Sequence, residues 1–182
     1  MRKRKVLLNF AAERNEEEPI KLTTMGIIKD TYVCKSTALA NYILAYANQN
    51  KVGINMTKLQ KLMYITYGMY LAVKEERLTN EHPQAWPYGP VFPSARKTLL
   101  HTSLENVTDY DTNAITDDIK ACVKLVFDSF GQYNASFLSA WSHKENSPWD
   151  RMVNAKAFRW GEIIPDEYIL PYFKNLLIIK NG

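Results

Sequence analysis

The stretch KLQKLMYITYGMYLAV, from Lys58 to Val73, carries the strongest helical pattern in the chain. Thr57 and Gln60 form a capping-box pattern, in which each side chain satisfies a backbone donor of the first turn. The apolar stripe that follows predicts the buried face: Leu59, Leu62, Met63, Thr66, Tyr70 and Val73. Gly68 lies in the middle of this helix, where glycine costs about 1 kcal/mol relative to alanine. We therefore expect another element to pack closely against it.

Other helices are predicted from end signals and apolar periodicity. Their expected positions are an N-cap at Ser36 with an end between Asn48 and Gly53, a start at Pro93, a helix from Thr116 to Gly131, a short helix from Asn134 or Ser136, and a last helix between Asp166 and Ile179. The fold class is therefore mainly α. Residues 36–182 are predicted to form one compact helical domain, and residues 1–35 form an extension to which the pattern assigns no structure.

The helical pattern stops at the segment AWPYGPV, from Ala85 to Val91. Four prolines lie in or beside it, at Pro83, Pro87, Pro90 and Pro93. Each proline lacks a backbone donor and biases the preceding residue toward extended geometry. The segment is thus predicted to be an extended, stiff, aromatic loop with a short β-hairpin.

Composition narrows the function classes. The net charge of +4 equals the contribution of Arg2, Lys3, Arg4 and Lys5, so the rest of the chain of 182 residues is nearly neutral and offers no broad basic face for nucleic acid. The basic N-terminal arm is either a nucleic-acid contact or an ordinary solvated terminus. No apolar run is long enough to span a membrane, and the expected location is the cytoplasm.

Residues that carry chemistry are sparse. The sequence contains no short motif that announces a catalytic mechanism, and neither a cofactor nor a metal site is indicated. Its three histidines stand far apart. His143 lies in the turn SHKENSPW, where an imidazole either acts as a general base or anchors the turn. Cys122 is expected to be an inert buried thiol and Cys34 an exposed one.

The aromatic residues around the proline segment invite two interpretations. Trp86, Tyr88 and Trp149 either pack the loop onto the helices or stand on the surface as binding anchors. A loop stiffened by prolines loses little entropy when a partner binds. The surface from Tyr88 to Phe92 is therefore the best candidate for an interface.

Three separated segments resemble one family, the Panacea domain, also called SocA-like or phage-associated GepA-like. Its members show an LQKLLY-type helix, an AWxYGPV segment and a TH-x-x-x-PW turn. The matching residues here are Leu59, Gln60, Lys61, Leu62 and Tyr64, then Ala85, Trp86, Tyr88, Gly89, Pro90 and Val91, then His143, Pro148 and Trp149. The likeness extends over about residues 36–173. Ser142 replaces the usual threonine, and Pro87 lies inside the second segment.

The resemblance implies a helical antitoxin encoded by a prophage or mobile element. Its implied partner is a protein toxin from an adjacent gene, neutralised by direct binding or by delivery to a protease. The resemblance brings no catalytic residue, so the protein is expected not to be an enzyme. The residues proposed for partner binding are Trp86, Tyr88, Gly89, Pro90, Val91, Phe92, His143 and Trp149.

Two alternatives stay open at this point. The first is a small enzyme or ligand-binding domain centred on His143, with Trp86 and Trp149 as its walls. The second is a phage-encoded protein that interferes with a host system.

Overall fold

A computed structural model describes residues 5–8 and 31–180 of the chain. Its elements in order are β1 (Lys5–Leu8), β2 (Tyr32–Cys34), α1 (Ser36–Gln49), α2 (Met56–Lys74), β3 (Arg77–Thr79), β4 (Gln84–Trp86), β5 (Gly89–Val91), α3 (Pro93–Leu99), a 3₁₀ helix (Leu104–Asn106), α4 (Asp117–Phe130), α5 (Ala135–Ser142), α6 (Pro148–Val153), α7 (Asp166–Leu176) and β6 (Leu177–Lys180). The predicted mainly α class is confirmed. The basic arm at residues 1–4 and most of the predicted extension lie outside the described residues.

Helix α2 is the centre of the fold. All of its residues from Lys58 to Ala72 are buried, and α1, α4, α5, α7, β3 and β5 pack around it. A helix enclosed on every side must be apolar all round, apart from polar groups that find partners. The predicted single stripe was too narrow for this helix, and Val73, assigned to that stripe, is exposed.

Gly68 allows α7 to approach α2. A Cβ atom built at Gly68 would lie 2.3 Å from the ring of Phe173, which is fully buried. Real Cβ atoms essentially never approach another atom so closely. The prediction that another element packs against this glycine is confirmed.

Helix ends were predicted with mixed success. Thr116 caps α4 by accepting a hydrogen bond from the amide of Ile119, and Asn134 caps α5 in the same way through Phe137. The capping box at Thr57 was wrong, because Asn55 caps α2 and accepts from the amide of Lys58 at 2.8 Å.

One further predicted end moved by a residue: Ser36 is the first residue of α1 rather than its N-cap, which is Lys35. The last helix, α7, lies between Asp166 and Ile179 as predicted; it stops at Leu176, and the chain continues as strand β6. Helix α6 was not predicted at all.

Within residues 5–8 and 31–180, the strands form three small two-stranded sheets. Strand β2 pairs in parallel with β3, whereas β4 pairs with β5 and β1 pairs with β6 in antiparallel fashion. The expected β-hairpin is therefore present as β4–β5, with Trp86 opposite Gly89. Because β2 packs onto the domain, Cys34 is buried, contrary to its predicted exposure.

Candidate functional site

The turn of the hairpin β4–β5 exposes an aromatic side chain. Pro87 and Tyr88 form the turn between the paired residues Trp86 and Gly89, and Tyr88 is 79% exposed. An isolated two-stranded hairpin is marginally stable in water. Contacts with the rest of the domain must therefore fix its position.

Among the described residues, four side chains on three other elements hydrogen-bond the backbone of the hairpin and of Phe92, which follows it. The longest of these bonds runs from Ser139 Oγ on α5 to the carbonyl of Tyr88, at 3.5 Å. From α2, Lys61 Nζ donates to the carbonyl of Pro90 at 2.9 Å, and the carboxamide oxygen of Gln60 accepts from the amide of Phe92 at 2.7 Å. From α6, the indole of Trp149 donates to the carbonyl of Trp86 at 2.8 Å. All three segments of sequence that carry the family resemblance meet at these bonds.

The outer edge of β4 is covered as well. Residues 161–164 run beside it, with backbone hydrogen bonds from Ala85 to Glu162 and from Gly161 to Ala85, each 2.8 Å long. An edge strand that is paired in this way has no free ladder to offer to another strand. The hairpin is thus fixed on both sides while its turn remains open to solvent.

Gly89 is required at the base of the turn. Its φ of +102° lies in the region that side chains disfavour. In addition, a Cβ atom there would lie 2.7 Å from Ser142 Oγ and 2.8 Å from Lys61 Cε. Backbone conformation and space both exclude a larger residue, and the hairpin, α2 and the end of α5 converge at this point.

Lys61 is a lysine in the protein interior. It is only 1% exposed, and burial lowers the pKa of its ammonium to about 7. Within the described part of the chain, Pro90 is its single hydrogen-bond acceptor, although an ammonium has three donors. Lys58, which is also buried, donates to the carbonyl of Gly131 at 2.7 Å.

His143 lies where α5 ends. Its backbone amide bonds the carbonyls of Ser139 and Ala140, while its ring stacks on Trp149 with centroids 3.8 Å apart and planes 15° apart. Burial, and next the positive charge of Lys61, lower its pKa, so the ring is neutral near pH 7. Its Nε2 atom is buried and has no hydrogen-bond partner in the described structure. The ring therefore stabilises the turn by stacking.

The turn after His143 is built from local hydrogen bonds. Ser147 Oγ donates to the carbonyl of Ser142 at 2.9 Å and also caps α6 by accepting from the amide of Asp150. Asn146 has a left-handed backbone conformation, and its backbone amide donates to the Asp150 carboxylate at 2.9 Å. The sequence SHKENSPW thus positions Trp149 for its contacts with His143 and the hairpin.

Five aromatic side chains on the hairpin and on the segments that bond to it make up what we call the aromatic face. Trp86 and Tyr88 belong to the hairpin, and His143 stacks on Trp149. Trp160, 57% exposed, adds a further ring with its centroid 6.3 Å from that of Trp149. Exposed tryptophan and tyrosine together are typical of binding surfaces.

A groove of about 390 Å³ lies beside the turn of the hairpin. Its walls come from the start of α2, the hairpin and α3: Met56, Thr57, Gln60, Lys61, Trp86, Pro87, Tyr88, Val91 and Arg96. The guanidinium of Arg96 lies 5.4 Å from the centre of the Trp86 ring, in the range of a cation–π contact. The groove is therefore aromatic on one side and carries two basic groups.

The residues predicted for partner binding differ in accessibility. Tyr88 is exposed, while Trp86, His143 and Trp149 are half-buried. The side chain of Phe92 is fully buried against Tyr67, and Gly89, Pro90 and Val91 are buried too, so these four support the surface from beneath. Sequence reasoning missed Lys61, Arg96 and Trp160. The available signal for Lys61 was its own position, one turn after Lys58 in an otherwise apolar helix.

A separate polar cluster lies at the other end of α2. Tyr67 donates its hydroxyl to Asp166 at 2.7 Å, and His82 lies 3.5 Å from the same carboxylate and 2.9 Å from the guanidinium of Arg77. Burial, followed by the Asp166 charge, raises the pKa of Tyr67. The cluster links α2, α7 and the segment after β3. The sequence did not predict it, because its members lie far apart in the chain.

The two thiols are unreactive at neutral pH, because burial raises the pKa of both Cys34 and Cys122 to about 12. No group of histidine, cysteine and acidic residues within 5–8 and 31–180 is arranged to hold a metal ion. Over the same residues, none of the helices has both the length and the apolarity needed to cross a bilayer.

Comparison with known proteins places this arrangement in a family. The chain is similar to antitoxin SocA of Caulobacter vibrioides (strain NA1000 / CB15N), with 27% identity over 148 residues that cover 74% of this chain and 79% of the relative. No solved structure matches the chain. The family model for the antitoxin SocA-like, Panacea domain matches residues 59–150, which include α2, the hairpin and the turn at His143. Half of the chain is thereby matched, and the protein belongs to the antitoxin SocA-like, Panacea domain family.

Proposed function

We propose that this protein is an antitoxin that neutralises a protein toxin, the product of an adjacent gene, by binding it directly. Membership in an antitoxin family supports the role, and the similar protein from Caulobacter vibrioides is named as an antitoxin. A binding role also suits a chain whose two thiols are inert and whose His143 ring has no hydrogen-bonded partner in the described structure.

The observation that carries the proposal is the exposure of Tyr88 on a hairpin that is otherwise fixed. A side chain that is 79% exposed while its neighbours Gly89 and Pro90 are buried contributes little to the fold. Because the hairpin backbone is already held by Lys61 and Gln60, binding would order few additional groups. We assign the interface to the aromatic face, with Tyr88 at its centre.

Co-expression tests the proposal. The toxin candidate is the product of the adjacent gene, expressed with the wild-type protein or with Tyr88→Ala. The wild type should restore growth and co-purify with the candidate, whereas Tyr88→Ala should lose both because it removes a central aromatic anchor. Tyr32→Ala is the matched control, since Tyr32 is 48% exposed but lies on β2, outside the hairpin.

The readouts separate direct neutralisation from delivery to a protease. Under direct binding, the toxin level stays constant while growth recovers. A toxin level that falls as growth recovers, and only when a cellular protease is present, would replace direct neutralisation by delivery. Growth that never recovers with the wild-type protein would refute the antitoxin proposal for that gene pair.

A further inference from the structure

The groove beside Tyr88 has a one-sided charge. Among the described residues that line it, Lys61 and Arg96 are basic and none is acidic. Its volume of about 390 Å³ falls in the usual range for ligand pockets, and it has room for a few side chains rather than a whole helix. The matching occupant is therefore small, extended and negatively charged.

The Lys61 ammonium has hydrogen-bond donors that are not used within the described structure. Its ammonium is buried, and of its three hydrogens only one is used, by the carbonyl of Pro90 in the described structure. A buried charge without a counter-ion is costly, and a carboxylate would remove that cost while accepting a charge-assisted hydrogen bond. The site is thus incomplete in the unbound protein.

Arg96 is similarly unpaired. It contacts the ring of Trp86, but no carboxylate in the described parts of the chain forms an ion pair with it. Arg96 is half-buried, whereas the next residue, Lys97, is exposed. The two basic groups of the groove therefore come from different helices, α2 and α3, and neither has an anionic partner among the described residues.

We propose that this groove receives an acidic, extended segment of the toxin, which places carboxylates against Lys61 and Arg96 and an apolar side chain against Trp86 and Tyr88. This inference rests on the proposed antitoxin function and names the chemistry of the partner. A protein segment fits better than a nucleic-acid strand, because basic and acidic residues outside the N-terminal arm are equal in number, so this part of the chain has no excess of cations to bind a phosphate backbone.

Protonation supports the same conclusion. The Lys61 ammonium is half titrated near pH 7, and a bound carboxylate would stabilise its charged form. Groups that surround it on the packed elements are Lys58 on α2, Arg96 on α3, Tyr88 on the hairpin and His143 after α5; of these, His143 is neutral near pH 7. Affinity should therefore fall as pH rises from about 7, because the free protein must then take up a proton to bind.

The test uses the full chain and synthetic peptides that tile the sequence of the adjacent gene product, measured by fluorescence polarisation. One peptide rich in Asp or Glu should bind, and its version with Gln and Asn in place of Glu and Asp should bind at least about tenfold more weakly. Arg96→Glu should lose a similar factor. Lys97→Glu, which makes the same charge change one residue away on α3, should bind within about twofold of wild type.

Lys61→Met tests the second contact, with its thermal unfolding measured alongside to separate binding from folding. If Lys61→Met is unstable, the pH dependence of the wild-type protein answers the same question without any substitution. Binding that weakens between about pH 7 and pH 9 supports the inference, whereas affinity independent of both pH and peptide charge overturns it. Tighter binding of an oligothymidylate than of every acidic peptide would also overturn it.

The growth assay distinguishes this inference from the proposed function. If the wild-type protein fails to rescue growth, the antitoxin proposal fails. If rescue succeeds and Arg96→Glu rescues as well as Lys97→Glu, only the groove inference is refuted.

Discussion

Buried polar groups at the two ends of helix α2 differ in how completely they are hydrogen-bonded. Near its C-terminal end, Tyr67, Asp166, His82 and Arg77 bond one another and form a closed network. Near its N-terminal end, Lys61 donates one hydrogen bond to the hairpin and has no other acceptor among the described residues, beside a groove open to solvent. A closed network serves the fold, because its members bond one another rather than an outside partner. A polar group with unused donors beside an open groove is typical of a binding site. The following substitutions test this contrast between the two ends of α2.

The largest effect is expected for Asp166→Ala, in the closed network. The substitution leaves the Tyr67 hydroxyl and His82 without their carboxylate in a site where Asp166 is 5% exposed. We expect a loss of about 3 kcal/mol in the free energy of unfolding. Urea denaturation measures it, and Asp117→Ala on α4 is the control, since this carboxylate is fully exposed and its removal should change stability far less.

If Asp166→Ala unfolds no more easily than Asp117→Ala, the network is not a stabilising unit and the contrast between the two ends of α2 is lost.

Gly89→Ala should be the next most damaging change, at the base of the hairpin. The new Cβ atom meets Ser142 and Lys61, and the residue must also keep a φ of +102°. We expect about 2 kcal/mol of destabilisation together with movement of Tyr88. Gly53→Ala is the matched control, since nothing lies within 4 Å of a Cβ atom there. Equal melting temperatures for the two variants would show that the hairpin is free to shift.

These two regions also show how far the sequence could be read. The helices were predictable because their signals are local: Thr116 caps α4, Asn134 caps α5, and Pro93 begins α3. The capping box at Thr57 was misjudged because its Gln60 is engaged elsewhere, by the amide of Phe92. Such a contact between residues far apart in the chain leaves no local mark.

The shape of the candidate site was predictable from the sequence, but its positive charge was not. Prolines and tryptophans indicated a stiff aromatic hairpin, but a lysine in a helix ordinarily reaches solvent. Only the hairpin that covers Lys61 makes it a buried group, and only the fold brings Arg96 to the same groove. Such burial results from contacts between residues far apart in the chain, and the periodicity of apolar residues in the sequence does not reveal it.

The buried ammonium of Lys61 should give stability a pH dependence of its own. The unfolded chain keeps Lys61 protonated up to a pKa near 10.5, while the folded protein releases that proton near pH 7. Between these values the unfolded state binds more protons, so the free energy of unfolding rises with pH, by up to about 1.4 kcal/mol per unit. Lys61→Met should flatten this slope, as measured by urea denaturation from about pH 7 to pH 9.

Lys97→Met is the reference for the slope, because the Lys97 side chain is exposed in the folded protein. A wild-type slope that survives in Lys61→Met would show that other groups produce it.

The smallest effect is expected for His143→Phe. Phenylalanine keeps a flat ring to stack on Trp149 and removes the Nε2 atom that has no partner in the described structure, so the free energy of unfolding should change by less than about 1 kcal/mol. Growth rescue should also persist, because the ring acts through stacking. His143→Ala, which loses the stack, should be less stable than His143→Phe. If rescue disappears in a well-folded His143→Phe variant, the imidazole itself performs a function, and the alternative of a ligand-binding or catalytic site at His143 becomes the better interpretation of the open end of α2.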